Sequence, residues 1–63
     1  MCESNAFLAK DGRLELIMES VGSIRPEPGG VFLKSIFGET LTLKARLVEI
    51  DLTGHKIMLE PQS

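Results

Sequence analysis

Short stretches of apolar residues, separated by tight-turn residues, run along most of this 63-residue chain. The first stretch, residues 3–10, contains an apolar run at positions 6–9 that ends at Lys10. Asp11 and Gly12 follow, and this pair readily adopts the positive φ angles of a type I′ turn. The pattern therefore predicts a first strand over residues 3–10 that leads into a β-hairpin.

The second stretch, residues 13–20, has apolar side chains at alternate positions: Leu14, Leu16 and Met18. Leucine, glutamate and methionine also favour helices, but a period of two residues fits this stretch better than a period of 3.6. With a two-residue turn, Ala9 lies opposite Leu14 and Phe7 lies opposite Leu16, so these apolar side chains share one face. We therefore expect residues 13–20 to form a second strand, with Met18 on the face of Leu14 and Leu16.

Residues 21–30 are expected to interrupt the strands. Pro26 and Pro28 fix backbone angles and remove hydrogen-bond donors, and the glycine pair at 29–30 allows a reversal of the chain. A short strand over residues 21–25 followed by a tight loop is one interpretation. Residues 31–37, which are rich in bulky side chains, predict a third strand, and Gly38 with Glu39 predicts the next turn.

Residues 40–52 are too regular to be a loop. Up to position 47 the apolar residues stand at odd-numbered positions: Leu41, Leu43, Ala45 and Leu47. From position 48 they stand at even-numbered positions: Val48, Ile50 and Leu52. The change between positions 47 and 48 predicts a bulge or a sharp bend, which helps a sheet to curl. A turn over residues 51–55 and a last strand over residues 56–60 follow, with Ile57 and Leu59 inward, or Met58 if the register differs.

The chain is thus expected to be all-β: a small SH3-like β-barrel of five to six short antiparallel strands. Sixty-three residues form a single domain, 1–63, and a monomer of this size is marginally stable. The one cysteine, Cys2, excludes a disulfide within the chain, and with His55 it falls short of the four ligands of structural zinc. A homodimer is the expected route to further burial.

Composition limits the classes of function. The formal net charge is −2, the seven basic residues are scattered singly, and the aromatic residues are three phenylalanines. Nucleic-acid binding is therefore disfavoured, since it usually needs a basic face with stacking aromatics. The chain shows no constellation of catalytic residues, so an enzyme is not expected. The solitary thiol and the lack of a signal sequence predict a cytoplasmic protein, and no apolar run could span a membrane.

The beginning of the chain carries the strongest candidate chemistry. The terminal amine of Met1, the next backbone nitrogen and the Cys2 sulfur can close five-membered rings around one ion. Nitrogen and thiolate donors in a plane suit Ni(II) or Cu(II) better than zinc. If Met1 is removed, Cys2 itself carries both an amine and a thiolate. His55 is a weaker ligand candidate, because it follows Gly54 in a polar turn where a solvated histidine is ordinary.

Several segments together resemble the small CooT-type proteins: residues 1–6, residues 10–12, the Ser35-Ile36-Phe37-Gly38-Glu39 stretch and residues 49–52. The resemblance implies an SH3-like barrel, a homodimer, and Ni2+ bound by Cys2 with the nitrogen of Met1 or of Cys2 at a site shared by two subunits. It also implies a metallochaperone-type role, with carbon monoxide dehydrogenase or its maturation proteins as the client. Two alternatives stay open: an RNA-binding module, as an older label of the family suggests, and a metal-free protein-interaction domain that uses an exposed strand edge.

Overall fold

Six strands make up most of residues 4–62, the part of the chain that this computed structural model describes. They are β1 (Ser4–Lys10), β2 (Arg13–Glu27), β3 (Gly30–Ser35), β4 (Thr40–Leu43), β5 (Ala45–Asp51) and β6 (Lys56–Pro61). No helix in this range is long and apolar enough to cross a membrane.

The six strands form one sheet in the order β4-β3-β2-β1-β6-β5, which curls into a half-barrel. Its concave side holds the core, whose buried apolar residues come from five of the strands: Ala6, Met18, Val21, Val31, Leu33, Ala45, Ile57 and Leu59. The prediction of a small all-β barrel is confirmed. The inward placement of Ile57 and Leu59 is confirmed as well.

The first hairpin forms as predicted. Asp11 and Gly12 have φ angles of 53° and 77°, the left-handed conformation that this turn requires. Ala9 pairs with Leu14, and Phe7 pairs with Leu16. The pattern of apolar and polar residues therefore identified both the turn and the register of this hairpin.

The predicted face of Met18 is wrong. The pairing of β1 with β2 shifts between Ala6 and Phe7, so that Met18 pairs with Ala6 while Leu16 pairs with Phe7. Ile17 is the extra residue at this bulge, and a bulge moves the following side chain to the other face. As a result Met18 is buried in the core, whereas Leu16 remains on the outer face and is 46% exposed.

The interruption expected at residues 21–30 is shorter than predicted: the interpretation of residues 21–25 as a strand is confirmed, but they continue β2 and do not form a separate strand. β2 continues through Pro26 to Glu27 and pairs with β3 along the way. Ser20, with a left-handed φ of 55°, and a register shift between Val21 and Ser23 bend the strand without ending it. Only Pro28 and Gly29 are left for the turn, and β3 ends at Ser35, two residues before the predicted end.

The long segment after the Gly38 turn divides at Lys44 into β4 and β5. The predicted change of phase is confirmed, because the pairing of β5 with β6 shifts between Leu47 and Glu49. Gly30 lies so close to the Leu43 carbonyl group that a Cβ atom at that position would overlap it. This close approach lets β4 turn sharply into β5.

One pair of neighbouring strands departs from the antiparallel expectation. β1 and β6 run parallel, with Asn5 beside Lys56 and Leu8 beside Leu59. The first and last strands of the chain therefore lie side by side in the middle of the sheet. Because the two strands point the same way, the beginning of β1 and the beginning of β6 lie at the same end of the sheet.

Candidate metal centre

The predicted ligands, Met1 and Cys2, lie outside the described residues. Ser4 is the first residue that the structure describes, and it opens β1 opposite Val21 of β2. The structure therefore shows the surroundings from which the candidate ligands extend. These surroundings belong to β2 on one side of β1 and to β6 on the other.

On the β6 side, the neighbour of the beginning of β1 is His55. The backbone N–H of Asn5 donates a hydrogen bond to the His55 carbonyl oxygen, with an N···O distance of 3.0 Å. His55 has a left-handed φ of 57°, a conformation that histidine adopts more readily than most residues. Its side chain is exposed. The fold thus brings the histidine near the beginning of β1, although 50 positions separate His55 from Asn5 in the chain.

On the β2 side, the neighbour is Ser20. The Asn5 side-chain oxygen Oδ1 accepts a hydrogen bond from the Ser20 backbone N–H across 3.2 Å. The Ser20 carbonyl oxygen in turn accepts one from the Ile36 backbone N–H across 2.8 Å. Both flanks of β1 are therefore held by hydrogen bonds at Asn5, the second residue of the strand. Sequence reasoning missed these roles: Asn5 lies in the stretch that carries the family resemblance, but its partners Ser20 and His55 are distant in the chain.

A second turn at the same end of the sheet is built around Ser35. The Ser35 side chain is buried, and its Oγ accepts hydrogen bonds from the backbone N–H groups of Phe37 and Glu39, each at 3.1 Å. The Phe37 side chain at the tip of this turn is 76% exposed. The Ser35–Glu39 stretch, which carries part of the family resemblance, thus contains a buried serine that holds the turn by hydrogen bonds and an exposed aromatic side chain.

Asp51, in the same turn as His55, uses its carboxylate to hold that turn together. Asp51 Oδ1 accepts hydrogen bonds from the Gly54 backbone N–H at 3.0 Å and from the Thr53 hydroxyl at 2.9 Å. The bond from the Gly54 N–H is the main cause, and that from the Thr53 hydroxyl the next, of a pKa for the Asp51 carboxyl below its ordinary value. Asp51 is a turn residue, as its chemistry predicted.

Residues 4–62 do not hold a metal site by themselves. No three histidine, cysteine, aspartate or glutamate side chains come together in this range in a way that could hold an ion. Any site at this end of the sheet therefore needs donors from the first residues of the chain. The sulfur and nitrogen donors predicted there can form five-membered chelate rings without any help from the fold.

The arrangement of basic and aromatic residues gives little support to nucleic-acid binding. The Arg25 guanidinium lies over the Phe32 ring, 5.1 Å from its centroid. Arg25 also forms an ion pair with Glu27, and Arg46 forms one with Glu60. These contacts within the chain occupy an aromatic face and two cations that a nucleic acid would otherwise need.

Two comparisons with known proteins give matches. The family model described as "CO dehydrogenase accessory protein CooT" matches residues 1–60. A crystal structure assigned as CooT from Carboxydothermus hydrogenoformans superposes with a TM-score of 0.90 at 34% sequence identity, covering 98% of this chain and 100% of that chain. No curated protein sequence gives a significant match.

Proposed function

This chain belongs to the CooT family of CO dehydrogenase accessory proteins, and from that premise we propose that it binds Ni(II) through the Cys2 thiolate and the terminal nitrogen. The observation that carries the proposal is the adjacency of these two donors at the beginning of the chain. A thiolate and nitrogen atoms in one plane form a donor set that suits Ni(II). The proposed role is the supply of nickel, in the cytoplasm, to carbon monoxide dehydrogenase or to its maturation proteins.

Residues that the structure does describe support a defined position for this chelator. Asn5 donates to His55 on one side and accepts from Ser20 on the other. The segment that carries the donors therefore emerges from an anchored point of the sheet. An anchored beginning of β1 helps two copies to meet in one geometry, because less conformational freedom is lost on binding.

We further propose a homodimer in which two Cys2 residues share one ion. The outer face of the sheet carries an apolar stripe across β1, β2 and β6, here called the outer stripe: Phe7, Ala9, Leu14, Leu16 and Met58. Leu14 and Leu16 are 52% and 46% exposed, and no residue of the stripe belongs to the core cluster. An uncovered apolar sheet face on so small a domain suits a second copy of the chain.

A dimer formed through the outer stripe is also more compatible with a shared ion than a dimer formed through the edge strand β5. β1 lies at the centre of the stripe, so a two-fold axis near the beginning of β1 brings two chain starts together. Antiparallel pairing of β5 with β5 of a second copy would instead place the two chain starts at opposite ends of a continuous sheet. A shared ion therefore favours contact through the outer stripe over pairing of β5 with β5.

Nickel titration by calorimetry, together with native mass spectrometry, tests the proposal. The wild-type chain should take up one Ni(II) per pair of chains, and Cys2→Ser should take up none. Ser4→Ala is the matched control, since it changes a side chain next to the site and removes no proposed donor. A chain extended by two residues before Met1 should lose affinity, because its amine is displaced from Cys2. Unchanged uptake by Cys2→Ser would refute the proposal.

A further inference from the structure

We propose that the Phe37 turn, residues Ser35 to Glu39, docks on the protein that receives the nickel, in an apolar socket bordered by lysine or arginine side chains. This inference rests on the proposed function, because the receiving protein is the client in the CO dehydrogenase pathway. It concerns a surface that no proposed metal ligand shares. The support comes from the rigidity of the turn, its attachment, its charges and its position.

The backbone of the Phe37 turn is fixed although its tip is exposed. Ser35 donates its backbone N–H to the Glu39 carbonyl oxygen at 2.8 Å, and Gly38 donates to the Ser35 carbonyl oxygen at 3.1 Å. With the two bonds to Ser35 Oγ, four hydrogen bonds hold this short turn. An aromatic side chain on a fixed backbone loses little freedom when it binds, and such side chains are typical anchors of protein interfaces.

The Phe37 turn also contacts β2 through Ile36. In addition to the bond from its N–H to Ser20, Ile36 packs its Cγ2 atom over Gly22, where an added Cβ would lie only 3.3 Å from it. A Cβ atom at position 22 would make an unusually tight contact, and Ile36 would have to shift by a few tenths of an ångström. The absence of a side chain at Gly22 therefore allows the close packing of Ile36 on β2.

Charges around Phe37 favour a basic partner over a second copy. The carboxylates of Glu19 and Glu39 lie at the concavity beside the ring, and no basic side chain lines it. Leu16, which also lines this concavity, belongs to the outer stripe, so the docking contact proposed here consists of Phe37 and the two carboxylates. A symmetric contact of this surface with its own copy would bring like carboxylates together, which opposes association. A socket with lysine or arginine at its rim pairs with both carboxylates and accepts the ring.

The Phe37 turn lies close to the beginning of β1. Ser20 binds Asn5 through its N–H and Ile36 through its carbonyl oxygen. One residue thus links the beginning of β1 to the Phe37 turn. A protein that binds Phe37 would therefore lie near the end of the sheet where β1, which follows the proposed chelator in the chain, begins.

Surface plasmon resonance with immobilised nickel-free CO dehydrogenase tests the inference. Phe37→Ser should weaken binding at least tenfold, and Glu39→Lys should weaken it several-fold. Leu52→Ser is the matched control. Leu52 is 77% exposed and Phe37 is 76% exposed, but Leu52 does not line the concavity that holds Glu19 and Glu39. Its affinity should stay within twofold of the wild type. Equal binding by Phe37→Ser and the wild type, or no binding by the wild type, would overturn the inference.

Nickel uptake and native mass, measured on the same variants, separate this inference from the proposed function. Phe37→Ser should keep the nickel stoichiometry and the dimeric mass of the wild type. A shift of Phe37→Ser to single chains would show that a second copy covers the turn, and the inference would then be wrong. If the wild type takes up no nickel but binds CO dehydrogenase through Phe37, the docking surface stands and the nickel proposal fails.

Discussion

The backbone N–H of Asn5 lies 3.0 Å from the carbonyl oxygen of His55, and this bond joins the beginnings of the first and last strands. It places His55 beside the beginning of β1. Neighbourhood alone does not make His55 a ligand. In the proposed site, two thiolates and two nitrogens from a pair of chains would complete a square plane, so the imidazole would not be needed.

We therefore expect His55→Asn to bind nickel with the stoichiometry of the wild type and with an affinity within about threefold. Asparagine tolerates the left-handed backbone at this position, so the substitution removes the imidazole without straining the turn. Calorimetric nickel titration beside Cys2→Ser checks the expectation. Loss of nickel binding in His55→Asn would instead identify the imidazole as a ligand.

Leu14→Asp is expected to prevent the proposed homodimer from forming. It places a charge on the outer stripe, where a second copy would have to desolvate it. The fold should persist, because Leu14 is 52% exposed in the single chain. Native mass spectrometry should show single chains for Leu14→Asp and pairs for the control Leu52→Ser, whose side chain lies outside the stripe. Pairs in both variants would show that the outer stripe is not the dimer contact.

Gly30→Ala is expected to lower the free energy of unfolding by about 1–3 kcal/mol, the usual effect of overpacking. The added Cβ would overlap the Leu43 carbonyl oxygen, and backbone atoms cannot move aside as a flexible side chain can. Urea denaturation measures the change. Ser23→Ala, an exposed position of β2, is the control and should stay within about 0.5 kcal/mol of the wild type. An equal stability of Gly30→Ala and the control would contradict the close approach.

Asp51 should make stability depend on pH in the acid range. Its pKa is lowered in the folded chain by the Gly54 and Thr53 hydrogen bonds, so its contribution is complete above the ordinary value of about 3.9 and is lost as the pH falls through the lower folded value. Asp51→Asn keeps an oxygen acceptor but does not titrate. Its urea midpoint should therefore fall less than that of the wild type below about pH 4. A carbon NMR titration that places the Asp51 pKa at or above its ordinary value would refute this expectation.

Local patterns were enough to predict the elements whose contacts are local. The Asp11-Gly12 hairpin and its register follow from turn chemistry and alternation. The change of parity after Leu47 correctly predicted the irregular pairing of β5. In each case the residues that decide the structure lie within a few positions of each other.

Other features depend on partners that are distant in the sequence. Alternation could not show that Ile17 is the extra residue of a bulge, because the shift is defined only against β1. Pro26 is tolerated within β2 because, among the described residues, β1 pairs with β2 only as far as Val21, so at Pro26 the strand has β3 on one side only and its missing N–H leaves no ladder bond unmade. For the candidate site, adjacency of donors was visible in the sequence, but the approach of His55 and Ser20 to Asn5 depends on long-range pairing.

The parallel pairing of β1 with β6 has a consequence for synthesis of the chain on the ribosome. β1 is made before the other five strands, but β6, which flanks it on one side, is made after them. Long-range pairing of this kind delays folding until both partners are available. The sheet therefore closes around β1 only after β6 has been translated, and Asn5 can gain its bond to His55 only then. A nascent chain truncated before Lys56 would leave one flank of β1 open to pairing with other polypeptides.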